Sequence, residues 1–138
     1  MKDDVFSGGG RPPIHLPERE SDMIGNLALQ AEHTQPVVAA MLLAEIERAE
    51  LHRDDRLPDG IVTLGAEVEF VDEKSNRLQT VQLVLPAEAN ISLGRISILT
   101  PVGAALYGLS TGQSIDWPDL SGRQRRIRIV AVRRPEAN

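Results

Sequence analysis

The sequence predicts an α+β protein: a short N-terminal antiparallel helical hairpin, coiled-coil in character, followed by an antiparallel sheet with one short helix. Three observations carry that prediction. Between residues 17 and 51 apolar residues recur at helical spacing in two adjacent segments. Beyond residue 60 they alternate with polar residues in the period of half-buried strands. Within "ISILTPVGAALYGLSTGQSIDW", Ile96 to Trp117, one helical turn or two is wedged between two such alternating runs.

The elements follow in order. Residues 1–13, Gly-rich and without a periodic apolar pattern, are expected to be a disordered leader. A first helix is predicted from Pro17 to Ala31, with Met23, Ile24, Leu27 and Ala31 on one face and Gly25 weakening its middle. A second is predicted from Gln35 to Leu51, where Val38, Leu42, Ile46 and Ala49 keep nearly heptad spacing and Glu45 and Arg48 lie outside. Between them "EHTQP" is a tight reversal, with Thr34 as a candidate cap ahead of Pro36. The hairpin, residues 14–56, ends in the charged "HRDDRLPDG", whose Pro58 and Gly60 mark a linker to a second unit, residues 57–138.

In that unit Val68 and Phe70 alternate with Glu67 and Glu69, and Val81, Leu83 and Leu85 with Gln82 and Val84, around a "DEKSNR" hairpin turn. Thr100 and Pro101 open the short helix, because the hydroxyl can satisfy a free backbone N–H and proline is preset for a first turn. Val102, Ala105 and Leu106 form its stripe, and Gly108 can end it left-handed at little steric cost. A last strand alternates Ile127, Ile129 and Ala131 with Arg126 and Arg128. Phe70 and Trp117 are expected to supply much of the large apolar area of the core.

Composition narrows the function. The chain has 138 residues, 41% of them hydrophobic, which suffices for one ordinary core and a small appendage. Aromatics make up only 3%, which argues against an aromatic-lined pocket or a base-stacking surface. There is no cysteine, hence no disulfide or thiolate chemistry, and no apolar run long enough to span a bilayer; a soluble cytoplasmic protein is expected. Residues 1–65 carry six basic and twelve acidic side chains, and residues 66–138 nine and eight. A free-standing duplex binder would be basic, so direct nucleic-acid binding is not expected.

No motif announces catalysis. "SGGGR" lacks a preceding strand and a GK[ST] ending, so it is no phosphate loop. His15, His33 and His52 are too far apart for a metal-binding helix motif and are expected to face solvent; no metal and no cofactor is expected. Glu45, Glu47, Glu50, Asp54 and Asp55 read as a solvated face, with docking onto a basic partner as the alternative. Arginines 123, 125, 126, 128, 133 and 134 form the basic cluster; they read as a polar outer surface, with an acidic partner as the alternative. No Ser, His and Asp set stands out as a nucleophile system.

The segments "TVQLVLPAEA", "GRISILTPVGAALYGLSTGQSIDWP" and "RIRIVAVRRP" together resemble the C-terminal domain of the Gre transcript-cleavage factors. "RPPIHL" and the hairpin ending "AEIERAEL" resemble the short-hairpin members called regulators of nucleoside diphosphate kinase. The resemblance implies an FKBP-like fold for the second unit and bacterial RNA polymerase as partner, bound at the rim of its secondary channel. In Gre factors a long coiled coil enters that channel, and two acidic residues at its tip help to hold a catalytic metal ion. Here the arms are about 15 residues, roughly 22 Å at 1.5 Å per residue. The tip "AEHTQPV" offers Glu32 with no second carboxylate three residues on, a poor device for delivering a metal ion.

The expectation is therefore a non-enzymatic transcription regulator that competes with Gre factors at the polymerase and has a linked effect on nucleoside diphosphate kinase. Its candidate contact residues are Glu32, His33 and Thr34 at the tip, and Thr100 and Pro101, which match a segment lying near the polymerase in the related factors. The alternatives are a transcript-cleavage factor working through Glu32, a direct modulator of the kinase, and a prolyl isomerase. The last would need several aromatic pocket walls, where this unit has Phe70, Tyr107 and Trp117 alone.

Overall fold

The computed structural model describes residues 12–118, 121 and 123–135, except for the side chains of residues 117 and 118. The predicted hairpin forms from α1 (Glu18–Gln30) and α2 (Pro36–Arg48), joined by a turn over residues 31–34. Each helix has 13 residues, about 20 Å of axis. Two short strands that the sequence did not announce flank the hairpin, β1 (His15–Pro17) before α1 and β2 (Glu50–His52) after α2, and they pair in parallel. Three-residue strands so far apart in the chain have no period to reveal them.

The second unit is a five-stranded sheet built from β3 (Glu67–Asp72), β4 (Arg77–Val84), β5 (Arg95–Ser97), β6 (Ser114–Pro118) and β7 (Gln124–Arg133), with α3 (Pro101–Leu106) between β5 and β6. The spatial order is β5-β4-β3-β7-β6; β5 runs parallel to β4 and the other pairs are antiparallel. The two alternating runs on either side of α3 therefore do not pair with each other. They occupy opposite edges of the sheet, and α3 carries the chain from one to the other.

Several local expectations hold. Asp72 to Arg77 closes the β3–β4 hairpin, with Asn76 at φ 57° and its N–H donating to the Asp72 carbonyl. The Thr100 hydroxyl caps α3 by accepting from the Gly103 N–H at 3.0 Å, and Pro101 opens the helix. Gly108 takes φ 84° after the helix end, where a Cβ would press on Ile14 and Leu16.

Others are corrected. On α1 the buried residues are Ser21, Ile24 and Ala28, while Met23 is 45% exposed: the packed face is rotated from the one the apolar residues alone suggested. Thr34 does not cap α2; Gln35 holds the cap position without a side-chain bond, and the Thr34 hydroxyl donates back to the Ala31 carbonyl. Glu45, expected outside, is 4% exposed. α2 packs against both α1 and α3, which widens its buried stripe to Val38, Ala39, Leu42 and Glu45. The Glu45 carboxylate is compensated by Arg48, whose Nη2 donates to it at 2.6 Å and whose Nη1 reaches the Pro12 carbonyl. Glu47, Glu50, Asp54 and Asp55 are exposed as expected.

On β7 Ile127 and Ile129 are buried but Ala131 is exposed, because a bulge opposite Glu69 and Phe70 shifts the alternation by one residue and turns Val132 inward instead. On α3 Gly103, Ala104, Ala105 and Leu106 are buried while Val102 is only half so. The disordered-leader expectation falls on residues 1–11, outside the described residues; Pro12 and Pro13 are held by bonds from Arg48 and Gln113. The Trp117 side chain also lies outside them, and Tyr107, which is fully buried, joins Phe70 as the aromatic core.

One buried cluster runs through both units, from Ile14, Leu16, Ile24 and Leu42 to Val62, Leu83, Leu106, Tyr107 and Ile127. Gly103 is the tightest point in it, since a Cβ there would overlap the Ser97 carbonyl oxygen and touch Thr100 Oγ1. Gly103→Ala is therefore expected to cost about 1–3 kcal/mol through overpacking. A urea midpoint equal to the wild type's would show that β5 and α3 can separate freely.

Candidate docking groove and hairpin tip

Between the β4–β5 edge and the start of α3 lies an apolar groove of about 720 Å³. Val81, Ile91, Ile96, Thr100, Pro101 and Val102 contribute its walls. The linker from β4 to β5 makes two 3-10 turns, Pro86–Glu88 and Ile91–Leu93. Asn90 caps the second by accepting from the Ser92 N–H, and Gly94 closes it at φ 73°. This tight path turns Ile91 and Leu93 outward, 89% and 62% exposed, so the groove rim at Ile91 is apolar and no described residue covers it.

Of the residues singled out in the sequence, Thr100 and Pro101 line this groove. The Thr100 hydroxyl is already engaged, accepting from Gly103 and donating to the Ser97 carbonyl at 2.7 Å, so what it offers a partner is its methyl face. Glu32, His33 and Thr34 sit together in the exposed turn between α1 and α2. The two sets stand on different elements, and Ile91, Val81 and Ile96 were missed. Two bare apolar residues in a loop, Ile91 and Leu93, were the signal available.

Glu20 on α1 ties the hairpin to the second unit. Its Oε1 accepts from the Tyr107 hydroxyl at 2.9 Å and from the Leu64 N–H at 3.1 Å. Burial pushes the Glu20 carboxyl above its ordinary value of 4.5 and Asp54 adds to the rise, while the bonds from Leu64 and Tyr107 and the nearby Arg134 offset only part of it. Burial and the adjacent carboxylate push the Tyr107 phenol far up as well, so it remains a donor.

The arginine cluster is largely neutralised from within. Arg126 pairs with Asp116 and Glu73, Arg128 with Glu73, Arg125 with Asp72, Arg133 with Glu67 and Arg134 with Asp59. That agrees with a polar outer face of the sheet. No helix among the described residues is long and apolar enough to cross a membrane.

The family model "Transcription elongation factor, GreA/GreB, C-term" matches residues 57–134, more than half of the chain and all of the groove. The chain belongs to the GreA/GreB family. Among its relatives, the "Regulator of nucleoside diphosphate kinase" of Escherichia coli (strain K12) is 30% identical over 92% of this chain and 94% of its own length. A "Transcription elongation factor GreA" of Azorhizobium caulinodans is 39% identical over 89% of this chain and 83% of its own. The structure of a GreA/GreB elongation factor from Nitrosomonas europaea superposes with a TM-score of 0.69 at 34% identity, covering 88% of this chain and 98% of that one. The α+β architecture predicted from periodicity is thus the GreA/GreB one, and the relatives are named as regulators and elongation factors.

Because Glu20 binds its proton more tightly in the fold than in the open chain, its ionisation costs stability, and that cost is fully present above the raised folded value and absent below about 4.5. Glu20→Gln keeps a carbonyl acceptor without the charge. Its stability relative to wild type is expected to rise as pH climbs from below 4.5 to 7; a difference that stays flat across that range, by urea denaturation, would show that Glu20 titrates alike in both states.

Proposed function

We propose that this chain is a non-enzymatic, cytoplasmic regulator of transcription that docks on bacterial RNA polymerase near the secondary channel and competes there with Gre factors. The observation that carries the reading is the uncovered apolar groove with Pro101 in its wall and Ile91 on its rim, in the unit matched to the family. The sheet domain supplies the docking surface and the hairpin reaches toward the channel with Glu32, His33 and Thr34 at its end.

The tip argues against transcript cleavage. A hard divalent cation needs several oxygen ligands, and His33, Thr34 and Gln35 add no second carboxylate to Glu32. At about 20 Å the stalk is also short. A second reading, direct action on nucleoside diphosphate kinase, is favoured only by the name of the Escherichia coli relative.

A pull-down with the intact chain separates these readings, with polymerase recovered on the first and the kinase on the second. Ile91→Asp, at an exposed position where folding is unaffected, is expected to weaken polymerase binding about tenfold or more, as loss of an apolar anchor does. Glu32→Ala is expected to stay within about threefold, since one exposed carboxylate contributes little. Neither wild type nor Glu32→Ala should shorten RNA in a backtracked complex with magnesium present. Stimulation by the wild type that Glu32→Ala abolishes would make this a cleavage factor instead.

A further inference from the structure

The three histidines, expected to face solvent separately, do not all do so. Parallel pairing of β1 and β2 sets His15 opposite Glu50 and Pro17 opposite His52. Side chains two apart on a strand share a face, so His15, Glu50 and His52 converge on one side of this small sheet. His15 Nδ1 lies 2.9 Å from His52 Nε2; Glu50 Oε1 is 3.8 Å from the first nitrogen, and Glu50 Oε2 is 3.7 Å from the second. One ligand atom from each residue falls within 4.8 Å of the others.

We infer that His15, His52 and Glu50 form a binding site for a borderline transition-metal dication, with Zn²⁺ as the natural occupant. In a tetrahedral zinc site with bonds near 2.0–2.1 Å, the ligand atoms stand about 3.3 Å apart. The two imidazole nitrogens, 2.9 Å apart, part slightly to meet that value, and a single Glu50 oxygen, within 4.8 Å of both, moves inward to complete the set. Of the two facing nitrogens one carries the hydrogen of their contact and the other a lone pair; metal binding shifts that hydrogen to the far ring nitrogen or to solvent, so that both present lone pairs. Two imidazoles and one carboxylate suit zinc rather than magnesium or calcium, which take oxygen ligands.

The site is held from behind. The His15 N–H donates to the Gly108 carbonyl at 3.1 Å and the Glu50 N–H to the Ile14 carbonyl at 2.9 Å, which fixes both strands. The rings are half-buried while Glu50 is exposed, so the carboxylate can swing to close on an ion and a fourth position stays open to water. A bound ion joins the start of α1 to the end of α2 across 37 residues of chain, and so clips the hairpin at its base. The site is separate from the groove and from the tip, and it does not depend on the polymerase reading.

Calorimetric titration of the metal-free chain with zinc chloride tests this directly, together with Co²⁺ absorption and melting curves. The wild type is expected to take up one ion per chain, to give the strong visible band of tetrahedral Co²⁺, and to melt higher with zinc. His15→Ala and His52→Ala should each weaken binding about tenfold or more and lose the rise in melting temperature, a loss at least as large as that for removing a metal's outer partners. Glu50→Gln, at an exposed side chain that leaves the fold intact, should weaken binding about tenfold and decides the matter if a histidine variant does not fold. Absence of saturable uptake by the wild type, an octahedral Co²⁺ band, or zinc binding unchanged in the folded variants would each overturn the site.

Discussion

The seat of the helical hairpin on α3, through α2 and through the Glu20–Tyr107 bond, governs how it meets the sheet unit. Tyr107 is fully buried, and a buried phenol must find an acceptor or forfeit the hydrogen bonds that water gave it. Glu20 supplies that acceptor from the first turn of α1 and uses the same oxygen for the Leu64 N–H. One carboxylate thus ties the hairpin to the loop before β3 and to the end of α3 at once. Gly108 completes the arrangement, because its left-handed backbone without a Cβ lets Ile14 and Leu16 press against the chain just past the helix.

The same seat decides which surfaces remain for a partner. With the inner sheet face and the inner helix faces in one cluster, the apolar area left open includes the groove beside Thr100 and Pro101 with its rim at Ile91. The outer sheet face offers little net charge, since Glu67, Glu73 and Asp116 lie across from the β7 arginines and pair with them. Exposed pairs of this kind add little stability. Their effect is to leave recognition by this unit to shape and apolar contact, while net acidity stays with the hairpin half of the sequence.

The base of the hairpin shows how proximity is made by topology. β1 and β2 are three residues each and would not form a sheet alone, yet the core behind Leu16 and the bonds to Gly108 and Ile14 hold them parallel. Once they are parallel, the register leaves no choice: His15 must face Glu50, and His52 must lie on the same side.

What the sequence determined by itself was local. Periodicity located both helices of the hairpin and all five strands of the main sheet, because 3.6-residue and two-residue repeats are properties of short segments. The Thr100-Pro101 start of α3 was legible for the same reason, since a cap and its N–H lie three residues apart. Only the tertiary structure decided that Glu45 is buried beside Arg48, that Ala131 yields its place to Val132 past a bulge, that Ile91 overhangs a groove, and that His15 meets His52. Each of these depends on what a second segment places against the first, and a residue's own neighbours in the chain carry no information about that.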